Sequence, residues 1–178
     1  MPLGIALHRG DLVDILAGQI EASVEFGAEV VGVDLDGDEA VVTLDGGSER
    51  RGDLAVGCDG LHSVLRKWML PAEANELRYS GYTSWRGLAD WPYDDPADVN
   101  PGEYWGAGER FGIVPIGGDE VYWFAVHDAE ADASYPRPIS DFLAEMYEGW
   151  SEPIPSLLEA TEESAIIHRP VSRCRAAA

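Results

Sequence analysis

The sequence reads as an α/β chain with α+β character, in two unlike parts that meet near residue 71. Up to that point helical and strand periods alternate around a glycine turn, the pattern of an α/β unit. After Pro71 aromatic residues crowd together with glycine and period-two alternation takes over, the pattern of a β-rich sheet. The 178 residues suffice to bury a core without disulfide or metal staples.

The first element is a helix over 8–22. Leu12, Ile15, Leu16 and Ile20 recur at helical spacing and make one apolar face. Three strand-like runs follow, over 24–26, 29–35 and 40–44. The last two flank Asp36-Gly37-Asp38-Glu39, a turn signal, and Asp45-Gly46-Gly47-Ser48 marks another turn. Residues 53–58 are an apolar run ending in Asp59-Gly60, and a helical pattern covers 61–69. Buried parallel strand, tight turn and helix are together half of a nucleotide-binding α/β unit. In the second part a strand is expected over 79–87. Alternation over 110–116 and 121–127, around Gly117-Gly118-Asp119-Glu120, predicts a hairpin. Helices are expected over 139–150 and 155–160, and a last strand over 164–168.

The formal net charge of −21 excludes nucleic-acid binding as the main activity, because such a field repels phosphates and anionic membranes. No apolar run reaches the length of a membrane span, and no signal-peptide pattern is present. Cys58 and Cys174 are too few for a disulfide scaffold, and a reduced cytoplasmic protein is expected. His8, His62, His127 and His168 lack metal-ligand spacing, and no Ser/His/Asp or Cys/His arrangement stands out.

Four motifs carry candidate chemistry. Arg9 opens the first helix, where its charge opposes the helix dipole. It is either needed there for an anionic ligand or a solvated residue at a frayed end. Asp59 and Gly60 stand at the carboxyl end of the predicted parallel strand, where open sheets bind ligands; alternatively, Asp59 caps the next helix. The run Tyr79-Ser-Gly-Tyr-Thr-Ser-Trp-Arg-Gly87 either lines a flat aromatic pocket or packs Trp85 into a core. Arg110 and Tyr122 offer a cation and a phenol. A four-residue loop at 117–120 would pair Pro115 with Tyr122 and put these two on opposite faces, whereas a bulge near Pro115 or Gly117 would restore a shared face.

In order along the chain, "HRGDLVDIL", "GDLAVGCDGLHSVLR", "YSGYTSWRGL", "RFGIVPIGGDEVYWFA" and "GWSEPIPSLLEAT" resemble the FAD-dependent aromatic hydroxylases, the group A flavoprotein monooxygenases. The resemblance implies a partial FAD-binding Rossmann-like α/β domain over 1–70, a β-rich substrate-binding domain with helices over 71–168, and a tail over 169–178. It implies that Arg9 contacts the FAD ribose or pyrophosphate and that Val24 touches the adenine through its backbone. Asp59 and Gly60 form the Asp-Gly motif, which serves both FAD and the nicotinamide cofactor. An Arg and a Tyr spaced like Arg110 and Tyr122 lie beside the flavin and substrate in the urate-hydroxylase-like branch. The implied activity is hydroxylation or epoxidation of a small aromatic or related substrate with NAD(P)H and oxygen.

Two family motifs are missing. No G-x-G-x-x-G precedes Arg9, and no Gly-Asp follows Arg169-Pro170. The expectation is therefore an incomplete copy that binds FAD weakly or not at all by itself. The alternatives are a non-catalytic relic, a small binding module built on the β-rich half, and a flavin reductase of related fold.

Eleven of the twelve basic residues are arginine, against 33 acidic residues. A large acidic excess with almost no lysine suits solubility at high salt, where screening removes self-repulsion. The unfolding midpoint is expected to rise from low to molar salt; greater stability at low salt would contradict a halophilic origin.

Overall fold

The computed structural model describes residues 6–174, and the chain divides into two compact units. One comprises residues 1–19 and 79–171, the other 20–78 and 172–178. The expected division at 70/71 differs from this in two ways. The contact boundary falls at 78/79, and the first helix groups with the sheet that follows it in sequence.

In the first unit, helix α1 (Arg9–Ala17) ends well short of residue 22. Gly18 closes it by donating to the carbonyls of Asp14 and Leu16, and its apolar side is left largely exposed, so no burial extends it. A five-stranded sheet follows, built from β4 (Leu77–Asp90), β5 (Gly102–Trp105), β6 (Glu109–Gly117), β7 (Glu120–Asp128) and β8 (Ile167–Cys174) in the order β5-β6-β7-β4-β8. The strand expected over 164–168 begins only at Ile167, because residues 163–165 form a 3-10 turn, and residues 169–174, expected as a tail, continue it, while 175–178 lie outside the described residues.

The hairpin β6–β7 closes more tightly than a four-residue loop. Gly117 pairs with Glu120, and Gly118 and Asp119 both take positive φ, as a two-residue turn requires. The register then shifts between Pro115 and Gly117, a bulge that pairs Val114 with Tyr122 and Arg110 with Val126. One sheet face is thereby apolar throughout: Trp85, Phe111, Ile113, Val121, Trp123 and Ala125 are fully or almost fully buried. Helices α3 (Ile139–Met146) and α4 (Ile154–Glu159) supply the rest of this core with Ile139, Leu143, Ile154, Leu157 and Leu158, joined by Tyr147 just beyond α3. Phe111 stacks on Trp123 at 5.5 Å, and the Trp123 indole N–H donates to Thr161 Oγ1 at 2.8 Å. On β8, His168 stacks on Trp85 and its Nε2 lies 2.6 Å from Thr83 Oγ1. Burial, with Arg137 and Arg169 nearby, holds that imidazole below its ordinary pKa.

The second unit is a three-stranded antiparallel sheet, β1 (Val30–Asp36), β2 (Glu39–Leu44) and β3 (Glu49–Gly52), with α2 (Val64–Met69) packed on β1. The α+β character is as expected, with both sheets antiparallel and the helices outside them. Two expected strands do not form. Residues 24–26 and 53–58 carry no strand, and Leu54 and Val56 are 78% and 75% exposed. A strand exists only through a ladder partner, and among the described residues nothing pairs with either run.

Pro138 has no side chain to cap α3. Glu163 does so from a distance, accepting from the Ile139 and Ser140 amides at 2.9 and 2.8 Å. Glu163→Ala is expected to cost about 1 kcal/mol, the usual worth of a helix cap, read as a lower denaturant midpoint at unchanged slope.

Candidate functional site

The sheet face turned away from α3 and α4 presents Arg86 and Leu88 from β4, Tyr122 and Phe124 from β7, and Arg110 and Val114 from β6. The pairings Leu88–Tyr122, Arg86–Phe124 and Val114–Tyr122 fix this face, because paired residues point to the same side. At one end it forms a cleft of about 550 Å³ with the N-terminal turn of α1. His8, Arg9 and Leu12 line it together with Arg86, Leu88, Val114, Ile116, Tyr122 and Ile167. His8 caps α1 by accepting from Gly10 N at 3.3 Å, which starts the helix with Arg9 at the cleft. Among the described residues Arg9 and Arg86 form no ion pair, whereas Arg50, Arg51, Arg110 and Arg137 each meet a carboxylate.

Arg110 shares the open face with Tyr122, as the bulge allows, but the two do not meet. They stand four residues apart along the sheet, about 13 Å of strand. Phe124 lies between them with its ring over Gly112, where any Cβ would overlap it. Arg110 lines a separate groove of about 270 Å³ with Tyr82, Trp105, Glu109 and Asp128. Its guanidinium lies 5.1 Å from the Trp105 ring centroid, 5.9 Å from that of Tyr82 and 4.0 Å from Glu103.

Asp59 and Gly60 belong to the other unit. Asp59 Oδ2 accepts from the Val64 amide at 2.7 Å and the Leu65 amide at 3.4 Å, so the carboxylate does cap α2. The Ser63 hydroxyl and these amides hold its pKa below the ordinary range. Gly60 has φ +71° with open space where a Cβ would stand. Arg66 ties the turn by donating to the Gly60 and Leu61 carbonyls and to Asn75. A second hollow, about 260 Å³, lies beside Asp59 and is lined by Val30, Val33, Val42, Val56, Cys58 and Leu65. Val24 lies in an irregular stretch before β1 and is half exposed.

The geometry thus joins Arg9 with Tyr122, keeps Arg110 in its own groove on the same face, and places Asp59 and Gly60 together. Arg86 is the cleft residue that motif spacing does not single out. Its signal is parity: Trp85 and Gly87, either side of it, face the core. Among the described residues no group of three His, Cys, Asp or Glu could hold a metal, and no helix is long and apolar enough to cross a membrane.

No family model matches the sequence. The chain is 41% identical over 169 residues to aurachin C monooxygenase/isomerase of Stigmatella aurantiaca, covering 94% of this chain and 43% of that protein. It is 33% identical to the chloroplastic zeaxanthin epoxidase of Arabidopsis thaliana, covering 96% and 26%. With the FAD-dependent urate hydroxylase of Klebsiella pneumoniae it shares 32% identity, covering 79% and 36%. The solved structure of Klebsiella pneumoniae HpxO complexed with FAD and uric acid matches with a TM-score of 0.76 at 27% identity, over 92% of this chain and 42% of that one. The chain spans less than half the length of each of these proteins.

Because the folded state lowers the Asp59 pKa, the stabilisation is complete above the ordinary aspartate value, about 4, and is lost as pH falls through the lowered one. Asp59→Asn should lower the thermal midpoint at about pH 6, with the gap to the parent chain closing by about pH 2. A gap that stays constant with pH would contradict the cap.

Proposed function

The chain belongs to the FAD-dependent aromatic hydroxylases, the group A flavoprotein monooxygenases, and on that premise we propose that it serves hydroxylation or epoxidation of a small aromatic or related substrate with FAD, NAD(P)H and oxygen. The observation that carries this reading is the cleft, which Arg9 and Tyr122 both line together with apolar side chains of the sheet.

Each unit by itself presents residues that fit part of a flavin nucleotide. An unpaired guanidinium stands at the rim of a cleft with apolar walls, the combination that a charged, ring-bearing ligand needs. Gly60 leaves its backbone open to close approach. Asp59 is held ionised by the Ser63 hydroxyl and the amides that it caps. Arg9 is assigned to the ribose or pyrophosphate, the Val24 backbone to the adenine, and Asp59 and Gly60 to FAD and the nicotinamide cofactor.

Bound FAD would supply the redox chemistry, taking a hydride from NAD(P)H and activating oxygen. The chain's own part is position, charge and exclusion of water. Arg9 offsets phosphate charge. Leu12, Leu88, Val114 and Ile116 keep the cleft apolar. Tyr122 offers a phenol to ring and substrate. Arg110, held against Trp105 and Tyr82, supplies a fixed cation on the same face. A reducing compartment such as the cytoplasm suits the free thiols Cys58 and Cys174.

Millimolar FAD is expected to shift the backbone amide resonances of Arg9, Asp59 and Gly60 in the full chain. Arg9→Gln should weaken this binding about tenfold, the worth of one charge-assisted contact. No shift at these amides would overturn the reading.

A further inference from the structure

We propose that His168 is a proton-operated latch on the edge strand β8. Neutral, it pins β8 to β4 from the core face and so holds Ala165 and Ile167 in the wall of the cleft; protonated, it lets that wall move. The inference goes beyond the proposed function and stands whether or not a flavin occupies the cleft.

The first argument is how little else holds β8. The strand lies at the edge of its sheet and pairs only with β4 among the described residues, and Pro170 has no N–H to give to a ladder. Side chains of β4 make up part of the difference. Thr83 Oγ1 lies 2.6 Å from His168 Nε2 and 3.2 Å from the Arg169 carbonyl oxygen, which also accepts from Ser84 Oγ at 3.4 Å. The His168 ring stacks on Trp85 at 5.1 Å and meets Tyr135 edge to face at 5.2 Å.

The second argument is alternation. Successive residues of a strand point to opposite faces, so His168 on the core face puts Ile167 on the open one. Ile167 lines the cleft there together with Ala165. The latch stands on one side of the sheet and what it holds stands on the other.

Charge is the third argument. The half-buried imidazole faces the neutral Thr83 and Tyr135 and the guanidiniums of Arg137 and Arg169, of which Arg137 meets Glu163 at 3.3 Å. Beyond Thr83 along the sheet stands His127, whose own carboxylate is Glu109 at 3.6 Å. Among the described residues His168 pairs with no carboxylate. A proton on His168 therefore meets burial and two like charges, and the Trp85 face offsets part of that cost. Because the folded state lowers the His168 pKa, the hold is complete above the ordinary histidine value, about 6.5, and is lost as pH falls through the lowered one.

The test is amide hydrogen exchange in the full chain without ligand, read as protection factors so that the intrinsic pH dependence of exchange cancels. Between pH 7.5 and pH 5 the protection of β8 is expected to fall about tenfold, the worth of one hydrogen bond, while β6 and β7 keep theirs. The midpoint of the fall should match the titration of the His168 imidazole resonances, and the Ile167 methyl resonances should move with it. Glutamine takes no proton in this range, so β8 protection in His168→Gln should not change with pH. His8, His62 and His127 remain in that variant, so their effects appear in both chains. Unchanged β8 protection in the parent chain, a fall that survives in His168→Gln, or a midpoint that follows another histidine would overturn the proposal. Should the variant not fold, the match of midpoints in the parent chain decides alone. No ligand is present, so failure of FAD to bind leaves the result untouched.

Discussion

One extra residue on β6, Ile116, decides which side of the sheet the hairpin's side chains face. The alternation of β7 puts Val121, Trp123 and Ala125 on one side and Tyr122 and Phe124 on the other. For Phe111 and Ile113 to join the first group, β6 must lose one step against β7, and the bulge between Pro115 and Gly117 is where it does so. Without it Phe111 and Ile113 would lie on the open face and forgo burial worth roughly 1.5–3 kcal/mol each. Packing against Trp123 and Tyr147 therefore dictates the bulge, and the placement of Arg110, Val114 and Tyr122 on the open face is its by-product.

The glycine turns and the apolar alternation around them were readable directly. The β1–β2 turn at Gly37-Asp38, the β6–β7 hairpin and the buried stripe of α3 follow local rules that a sequence displays. The run over 53–58 shows the limit of such rules. Asp-Leu-Ala-Val-Gly-Cys has the composition of a buried parallel strand, but composition does not provide the neighbour that would make it one. The apolar period of 8–22 likewise promises a long helix, and only the part before Gly18 is helical. For the site, residue types were legible and distances were not. Arg110 and Tyr122 stand out in sequence, but only the register shows that Phe124 separates them and that Arg86 stands closer to Tyr122.

Around Asp59 the structure is local and self-sufficient. Asp59 and Ser63 cap α2, Arg66 returns to the turn that precedes it, and Gly57 leaves room for Leu65, whose side chain would stand 2.6 Å from any Cβ there. This network does not need the flanking run to be a strand. The Asp-Gly turn therefore keeps its shape while the residues leading into it stay open to solvent.

The two units are interleaved along the chain, since residues 1–19 and 79–171 make one and the stretch between them makes most of the other. This imposes an order on synthesis. The three-stranded sheet and α2 are complete once residue 78 has been made, and their contacts are short-range, so this unit can form while the chain is still growing. Helix α1 emerges earlier still but must wait for β4 to β8. Among the described residues Leu12, Val13, Ile15 and Leu16 stay 43–60% exposed on α1 even with the sheet in place, so this apolar helical stretch is the kind of segment that folding helpers in the cell recognise on a nascent chain.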